Sequence, residues 1–351
     1  MTTDTETIGI GVIGAGKIAE AYHLPAIAAT QGARLVAVAD VVAERATEMA
    51  AKFGFAGAYG DWRRVIDRSD VDAVLLLTQY EARRQVVPAA AEAGKHVFTQ
   101  KPLAGSVAEG EELAAVVRRA GVRLVTSFMH NYFPETRVTK RLLDEGDIGP
   151  IQFVRQRNAI RQTYARALEL RGATWDIGPH GVGMIHHLTG SRIARVQAMM
   201  TGATAADSPA ERLDVRDGRS IDTLAVMNYT LADGRVVAHE VHWTSAGGTN
   251  SWLTELFGSR GVLLLRPHVT EGTVAVSRRS ESGRRSEKWD YPPVEPEAPR
   301  GLFHHQLFVD DVRFDRQESA SIEDGLATLR VIEAAYRSAE TGLAMDIAPS
   351  R

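Results

Sequence analysis

Asp176 and His180 stand four residues apart in the run Trp175-Asp176-Ile177-Gly178-Pro179-His180. Pro179 suits the first turn of a helix, with Asp176 on the turn leading into it. A carboxylate at that separation can orient an imidazole and raise its basicity, the pairing of orienter and base that proton transfer uses. A helix-capping aspartate beside a buried structural histidine would show the same residues, and they alone leave the two readings level. His187 falls two turns further along the same face, so Asp176, His180 and His187 also form a two-histidine, one-carboxylate set of the kind that holds zinc or iron. A second candidate is Lys101 in Gln100-Lys101-Pro102, directly after the apolar stretch His96 to Thr99. If that stretch is a strand, the lysine lies at the carboxyl edge of a sheet, where ligands bind in open α/β folds.

Gly14 and Gly16, with Ala19 in the third small position, form a G-x-G-x-x-A pattern after the run Ile8–Ile13. The first glycine permits a tight turn, the second lets the backbone approach a pyrophosphate, and the small third residue lets the next helix pack on the strand. The helix start adds oriented N–H groups and a partial positive charge. Asp40, at the end of the next strand, can accept hydrogen bonds from ribose hydroxyls and would repel a 2′-phosphate, so NAD is favoured over NADP. Arg45, close downstream, reads as a solvated helix residue. Beside an oxidised nicotinamide ring Lys101 would lose its proton more readily, which suits proton transfer. The expected cofactor contacts are Gly14, Gly16, Lys17, Ile18, Asp40, Thr78, Gln100 and Lys101, with no resident metal.

These residues need elements to hold them. From Ile8 the chain reads strand, glycine turn, a helix over Lys17 to Thr30, and a strand over Arg34 to Val38, which is a βαβ unit. Alternation continues through a helix from Val42 to Phe53, a short one from Trp62 to Ser69, a strand from Ala73 to Leu77, and a helix from Ala82 to Ala93. It then runs through His96 to Thr99, a helix from Glu109 to Ala120 and a strand from Arg123 to Phe128. This predicts an N-terminal Rossmann domain with a doubly wound, parallel sheet over 1–130. After a helix from Glu135 to Glu145, short strand-like runs recur from Ile151 to Ser277, interrupted by a helix from about Pro179 to Leu188. They predict an open, mostly antiparallel sheet in a second domain over 131–351, for substrate binding and oligomerisation. The stretch from Ser280 to Arg300 reads as hairpin and loop, and two helices close the chain, Leu302 to Arg313 and Ile322 to Thr341, the last able to pack back on the first domain.

Length and composition exclude several classes. At 351 residues the chain exceeds the size at which one core stops growing. A net charge of -3 offers no basic footprint for nucleic acid. With 0 cysteines there is no disulfide framework, thiolate metal site or cysteine nucleophile, which fits a cytoplasmic enzyme. The first apolar run is short and broken by glycines, which predicts no membrane span.

The landmarks also fall in a familiar order. Gly14-Ala-Gly16-Lys-Ile-Ala19, Gln100-Lys101-Pro102-Leu-Ala104, the stretch Phe128 to Pro150, Asp176-Ile-Gly178-Pro-His180 and Val331-Ile-Glu-Ala-Ala-Tyr-Arg-Ser338 with Thr341-Gly342 resemble those of the Gfo/Idh/MocA oxidoreductases over nearly the whole chain. The resemblance implies hydride transfer between nicotinamide and a ring carbinol of a sugar, glycoside or cyclitol. It implies a homodimer or homotetramer built through the second sheet. It places Lys101 on the reacting oxygen and Asp176 and His180 opposite as orienter and acid/base, leaving open which of Lys101 and His180 is the base. Asn131, Arg157 and Trp175 join Lys101, Asp176 and His180 as substrate contacts, and Tyr22, His23, Tyr164 and His304 are further pocket candidates. Three departures stand out: Gln100 replaces the usual glutamate, Gly183 replaces a common second aspartate, and Gln79 and Arg83 stand where proline and histidine are frequent. The same residues would serve an enzyme that cleaves or epimerises glycosides through transient oxidation with recycled NAD. Non-catalytic NAD-binding regulators on this fold lack the catalytic residues that are kept here.

Overall fold

The computed structural model describes residues 7–162, 170–202, 215–216, 219–220, 222–243, 251–269, 271–279 and 288–348. The chain folds as two compact units, Met1–Phe133 with Pro296–Leu329, and Pro134–Glu295 with Arg330–Arg351. The sequence reading places one boundary near residue 130 and lets the last helix pack back on the first domain; the backbone crosses between units three times, returning already at Pro296.

The first unit is built on six strands: β1 (Ile8–Ile13), β2 (Ala33–Ala39), β3 (Gly57–Tyr59), β4 (Ala73–Leu76), β5 (His96–Gln100) and β6 (Leu124–Ser127). They lie in the order β3-β2-β1-β4-β5-β6, and every pairing is parallel. This is the doubly wound arrangement that the alternation predicts. Helices cover both faces, so the central strands read as unbroken apolar runs, and Ile10, Val12, Val38, Leu75 and Phe98 are fully buried together. The order reverses between β1 and β4, and that switch point is where such sheets bind ligands.

Two features of this unit escape the periodic pattern. The helix expected over Lys17 to Thr30 contains a π-helical turn, Ala19–His23, before the regular α1 (Leu24–Ala28). Such turns insert one extra residue, and here the insertion buries Tyr22 and His23. The return of the chain at Pro296 is the other. Helix Leu302–Arg313 puts Phe308 and Val309 into the first core, and the last helix, Ile322–Thr341, gives its residues up to Leu329 to the first unit and the rest to the second.

The second unit holds an eight-stranded sheet. Its main strands are Ile151–Ala159 (β7), Ile193–Thr201 (β8), Leu224–Leu231 (β11), Val236–His242 (β12), Trp252–Gly258 (β13), Gly261–Leu265 (β14) and Val274–Arg278 (β15). The short pairs Val215–Arg216 (β9) and Arg219–Ser220 (β10) form a separate hairpin, and Met345–Asp346 (β16) caps the sheet edge beside β8. All neighbours in this sheet are antiparallel except β7 and β12. Along β8, Val196 and Ala198 are buried while Met199 between Ala198 and Met200 is 71% exposed, the alternation of a sheet covered on one side. Among the described residues no helix is long and apolar enough to cross a membrane.

Candidate active site

In the first unit the expected cofactor residues collect at the carboxyl edge of the sheet. Gly14 follows β1 with φ of 101°, a conformation that favours glycine. A Cβ there would lie 2.9 Å from the Leu77 carbonyl carbon and 3.0 Å from Thr78 Cγ2, so the turns after β1 and β4 touch at the switch point. Around Gly16 a Cβ would meet nothing within 4 Å, leaving its backbone open to a ligand. Lys17 and Ile18 are exposed on the first helical turn. Asp40, after β2, is tied by both oxygens: Oδ2 accepts from the Ala15 N–H at 2.7 Å and Oδ1 from the Val42 N–H at 2.9 Å. Its carboxylate is therefore locked against the glycine turn, as a ribose-binding acid must be. An open glycine turn, a helix start and a fixed carboxylate fit a dinucleotide.

Lys101 follows β5 at the same edge, and its bond to Pro102 is cis. Two side chains grip the strand end just before it. Arg83, on the helix Arg83–Glu92, is 1% exposed and donates from Nε to Thr99 Oγ1 at 2.7 Å and from its amino end to the Pro102 carbonyl. Burial pulls its guanidinium down to about 9, opposed by the nearby charges of Glu81, Glu109 and Tyr80. Gln100 bonds inward to His23, whose other ring nitrogen lies 3.0 Å from His305. His23, His304 and His305 are fully buried, and burial lowers the basicity of all three, His305 to about 4. Tyr22, His23 and His304, named as pocket candidates, are thus interior side chains: Tyr22 and His23 sit in the π turn, and His304 stacks on Tyr132 at 4.2 Å. Asn131 is 5% exposed in the turn Met129–Tyr132 after β6.

In the second unit the expected turn before the His180 helix is itself a short helix, Ala173–Asp176, which Asp176 ends, and the helix bearing His180 is Gly178–Thr189. The short helix is anchored by Asp222, which accepts from the Thr174 N–H at 2.9 Å, the Thr174 hydroxyl at 2.8 Å and the Tyr336 hydroxyl at 2.6 Å. Burial raises the Asp222 carboxyl above its usual range. Trp175 is 5% exposed with the Arg171 guanidinium 4.1 Å over its ring. His180 is 7% exposed and meets the Trp252 ring edge-on at 5.7 Å. Its helix sits close to the sheet because position 181 is glycine: a Cβ there would come within 2.1 Å of Asn158 Oδ1 and 2.4 Å of His239 Nε2. Beneath it runs a buried polar chain, Tyr229 hydroxyl to His239 at 3.0 Å and His239 to Asn158 at 2.8 Å, which burial keeps neutral by pulling His239 down to about 3.

Arg157 alternates with Gln156 and Asn158 along β7, so it faces the side of the sheet away from the His180 helix and pairs with Glu240 at 2.7 Å. Asp176, His180 and His187 are not gathered as a metal site, and among the described residues no three His, Asp or Glu side chains are. Tyr164 lies outside the described residues. Sequence reasoning did not find Arg83's grip on β5, the His23–His305 pair, Asp222 or Tyr336; the one local signal was that Arg83 and Gln100 are unusual residues at their positions.

Residues 8–128 match the family model described as oxidoreductase family, NAD-binding Rossmann fold, and residues 136–264 match the GFO/IDH/MocA C-terminal domain. The chain belongs to the Gfo/Idh/MocA family. It is therefore an NAD-binding oxidoreductase with a Rossmann domain. It is 27% identical to a myo-inositol 2-dehydrogenase of Thermotoga maritima over 94% of this chain and 96% of that protein. It is 29% identical to an inositol 2-dehydrogenase of Saccharopolyspora erythraea over 98% and 97% of the two chains. A levoglucosan dehydrogenase solved with NADH and L-sorbose shares the fold, with a TM-score of 0.85 at 23% identity over 98% of this chain and 99% of that one. Within the Gfo/Idh/MocA pattern, Gln100, Arg83 and Gly183 remain the departures to explain.

Proposed function

We propose that this oxidoreductase transfers a hydride between NAD and a ring carbinol carbon of a sugar, glycoside or cyclitol. The observation that carries this reading is the position of Lys101, one residue beyond β5 and on the same sheet edge as Gly14 and the fixed Asp40 carboxylate. The named activities of the inositol dehydrogenases and the levoglucosan dehydrogenase support the substrate class. NAD, when bound, supplies the hydride acceptor. Asp40 holds the adenosine ribose and the Gly14–Gly16 turn receives the pyrophosphate. Lys101 hydrogen-bonds the reacting oxygen and handles its proton; Asp176 orients His180, the second group in proton transfer, and Asn131 and Trp175 contact the substrate. Assembly as a homodimer or homotetramer through the second sheet belongs to the same proposal.

An absorbance screen at the NADH band tests it, with NAD and a panel of free sugars, glycosides, cyclitols and sugar acids. Reduction of NAD by one class is expected. A protein that binds NAD yet reduces none of it with the whole panel contradicts the reading.

A further inference from the structure

The end of β5 is held from both faces of the first sheet, because consecutive strand residues point to opposite sides. On one side Arg83 bonds Thr99 and the Pro102 carbonyl. On the other Gln100 meets His23 of the π turn, His23 Nδ1 lies 3.0 Å from His305 Nε2, and His305 Nδ1 lies 2.8 Å from the Gly301 carbonyl. Both histidines are 0% exposed.

The far end of this chain dictates where its protons sit. A carbonyl oxygen only accepts, so His305 carries hydrogen on Nδ1, and Nε2 of the neutral ring accepts. His23 then donates from Nδ1 and accepts at Nε2, which obliges residue 100 to donate. Glutamine can do so; an ionised glutamate cannot. Turning the Gln100 amide oxygen toward His23 would reverse every bond and leave an acceptor nitrogen facing the Gly301 carbonyl.

We propose that Gln100 is a positioning residue for Lys101: the buried His23–His305 pair demands a neutral donor at position 100 and so keeps a carboxylate away from the lysine beside it. Resting on the assignment of Lys101 to proton transfer, this makes Lys101 the base. In the oxidation direction the C–H electron pair leaves with its hydrogen as hydride to nicotinamide, and the hydroxyl proton goes to Lys101 Nζ. Arg83, a cation bonded to this strand end, also favours an uncharged lysine. Facing Arg83 are Glu81 and Tyr80 of the turn Tyr80–Ala82 and Glu109 of the helix Val107–Ala120, all partly open to water. Facing His23 are His304 and His305, with Tyr22 beside it on the π turn. Among the described residues, no carboxylate is bonded to His23.

The test is nitrogen NMR of histidine-labelled, substrate-free enzyme, with His23→Gln and His305→Gln used for assignment. Both rings are expected to be neutral with the proton on Nδ1 from pH 6 to 8, a range on either side of the usual histidine value of about 6.5. In Gln100→Glu the ionised carboxylate only accepts, so His23 is expected to carry its proton on Nε2 at neutral pH with no proton added to the pair. The acidic limb of kcat/KM should move up by about one pH unit as the lysine holds its proton more tightly. A wild-type ring protonated on Nε2 overturns the donor requirement, and that reading needs no variant at position 100. A Gln100→Glu enzyme that binds NAD normally and keeps an unshifted acidic limb overturns the control of Lys101. Activity surviving in Lys101→Met would remove the parent assignment alone, since the proton positions in the histidine pair are read without turnover.

Discussion

At the scale of single residues the proposed preference for NAD over NADP rests on Asp40. Its two oxygens are already fixed by the Ala15 and Val42 N–H groups, so the carboxylate cannot swing away from an incoming 2′-phosphate. Asp40→Ala should therefore raise kcat/KM for NADP relative to NAD by about tenfold to a hundredfold, the scale of 1 to 3 kcal/mol for one charged contact. Steady-state kinetics with both cofactors measures it, and an unchanged ratio removes Asp40 from the ribose site. Asp40 and the glycines were legible from sequence because their contacts are local: a turn, a helix start and one strand end within about thirty residues. The environment of Gln100 was not. Its meaning depends on His23, 77 residues away, and on His305, a further 282 from His23, which only the folded chain brings together.

At the scale of elements, the short helix Ala173–Asp176 has one turn and cannot hold its own geometry. Asp222 and Tyr336 hold it instead, through three bonds in a buried setting. Asp222→Ala leaves the Thr174 and Tyr336 donors without their acceptor and should cost about 2 to 3 kcal/mol of stability. It should also lower kcat by loosening Asp176, while leaving NAD affinity unchanged, because the glycine turn and Asp40 belong to the other unit. Denaturant titration, NAD binding and turnover together check this, and a variant with weakened NAD affinity but normal kcat would contradict it. Periodicity placed the helix of His180 and nearly every strand, since apolar spacing reports which face is covered. It allowed the last helix to pack back on the first unit but missed the parallel pairing of β7 with β12 and a return of the chain as early as Pro296, both of which are set by tertiary packing between segments distant in sequence.

At the scale of the whole molecule, four histidines are fully buried and held neutral: His23, His304 and His305 in one unit and His239 in the other. Their folded-state basicity is lowered, His305 to about 4 and His239 to about 3, against 6.5 when exposed. Below pH 6.5 the unfolded chain takes up protons that the folded chain refuses, so stability falls as pH drops from 6.5 toward about 4 and is level with respect to these groups above 6.5. Each histidine contributes a slope of about 1.4 kcal/mol per pH unit within its window. Urea midpoints measured from pH 8 to pH 5 should hold steady and then decline, and a midpoint that stays constant through pH 5 would contradict the buried neutral network.

The proposed role of Lys101 is to handle the proton of the reacting hydroxyl at an NAD site. It is tested most directly by Lys101→Met, assayed for NADH formation with a substrate found in the panel and, separately, for NAD binding. Hydride transfer should fall by about a hundredfold to ten-thousandfold, the usual worth of a positioned acid or base, with NAD affinity little changed. Turnover within a few fold of the unaltered enzyme would remove Lys101 from that role.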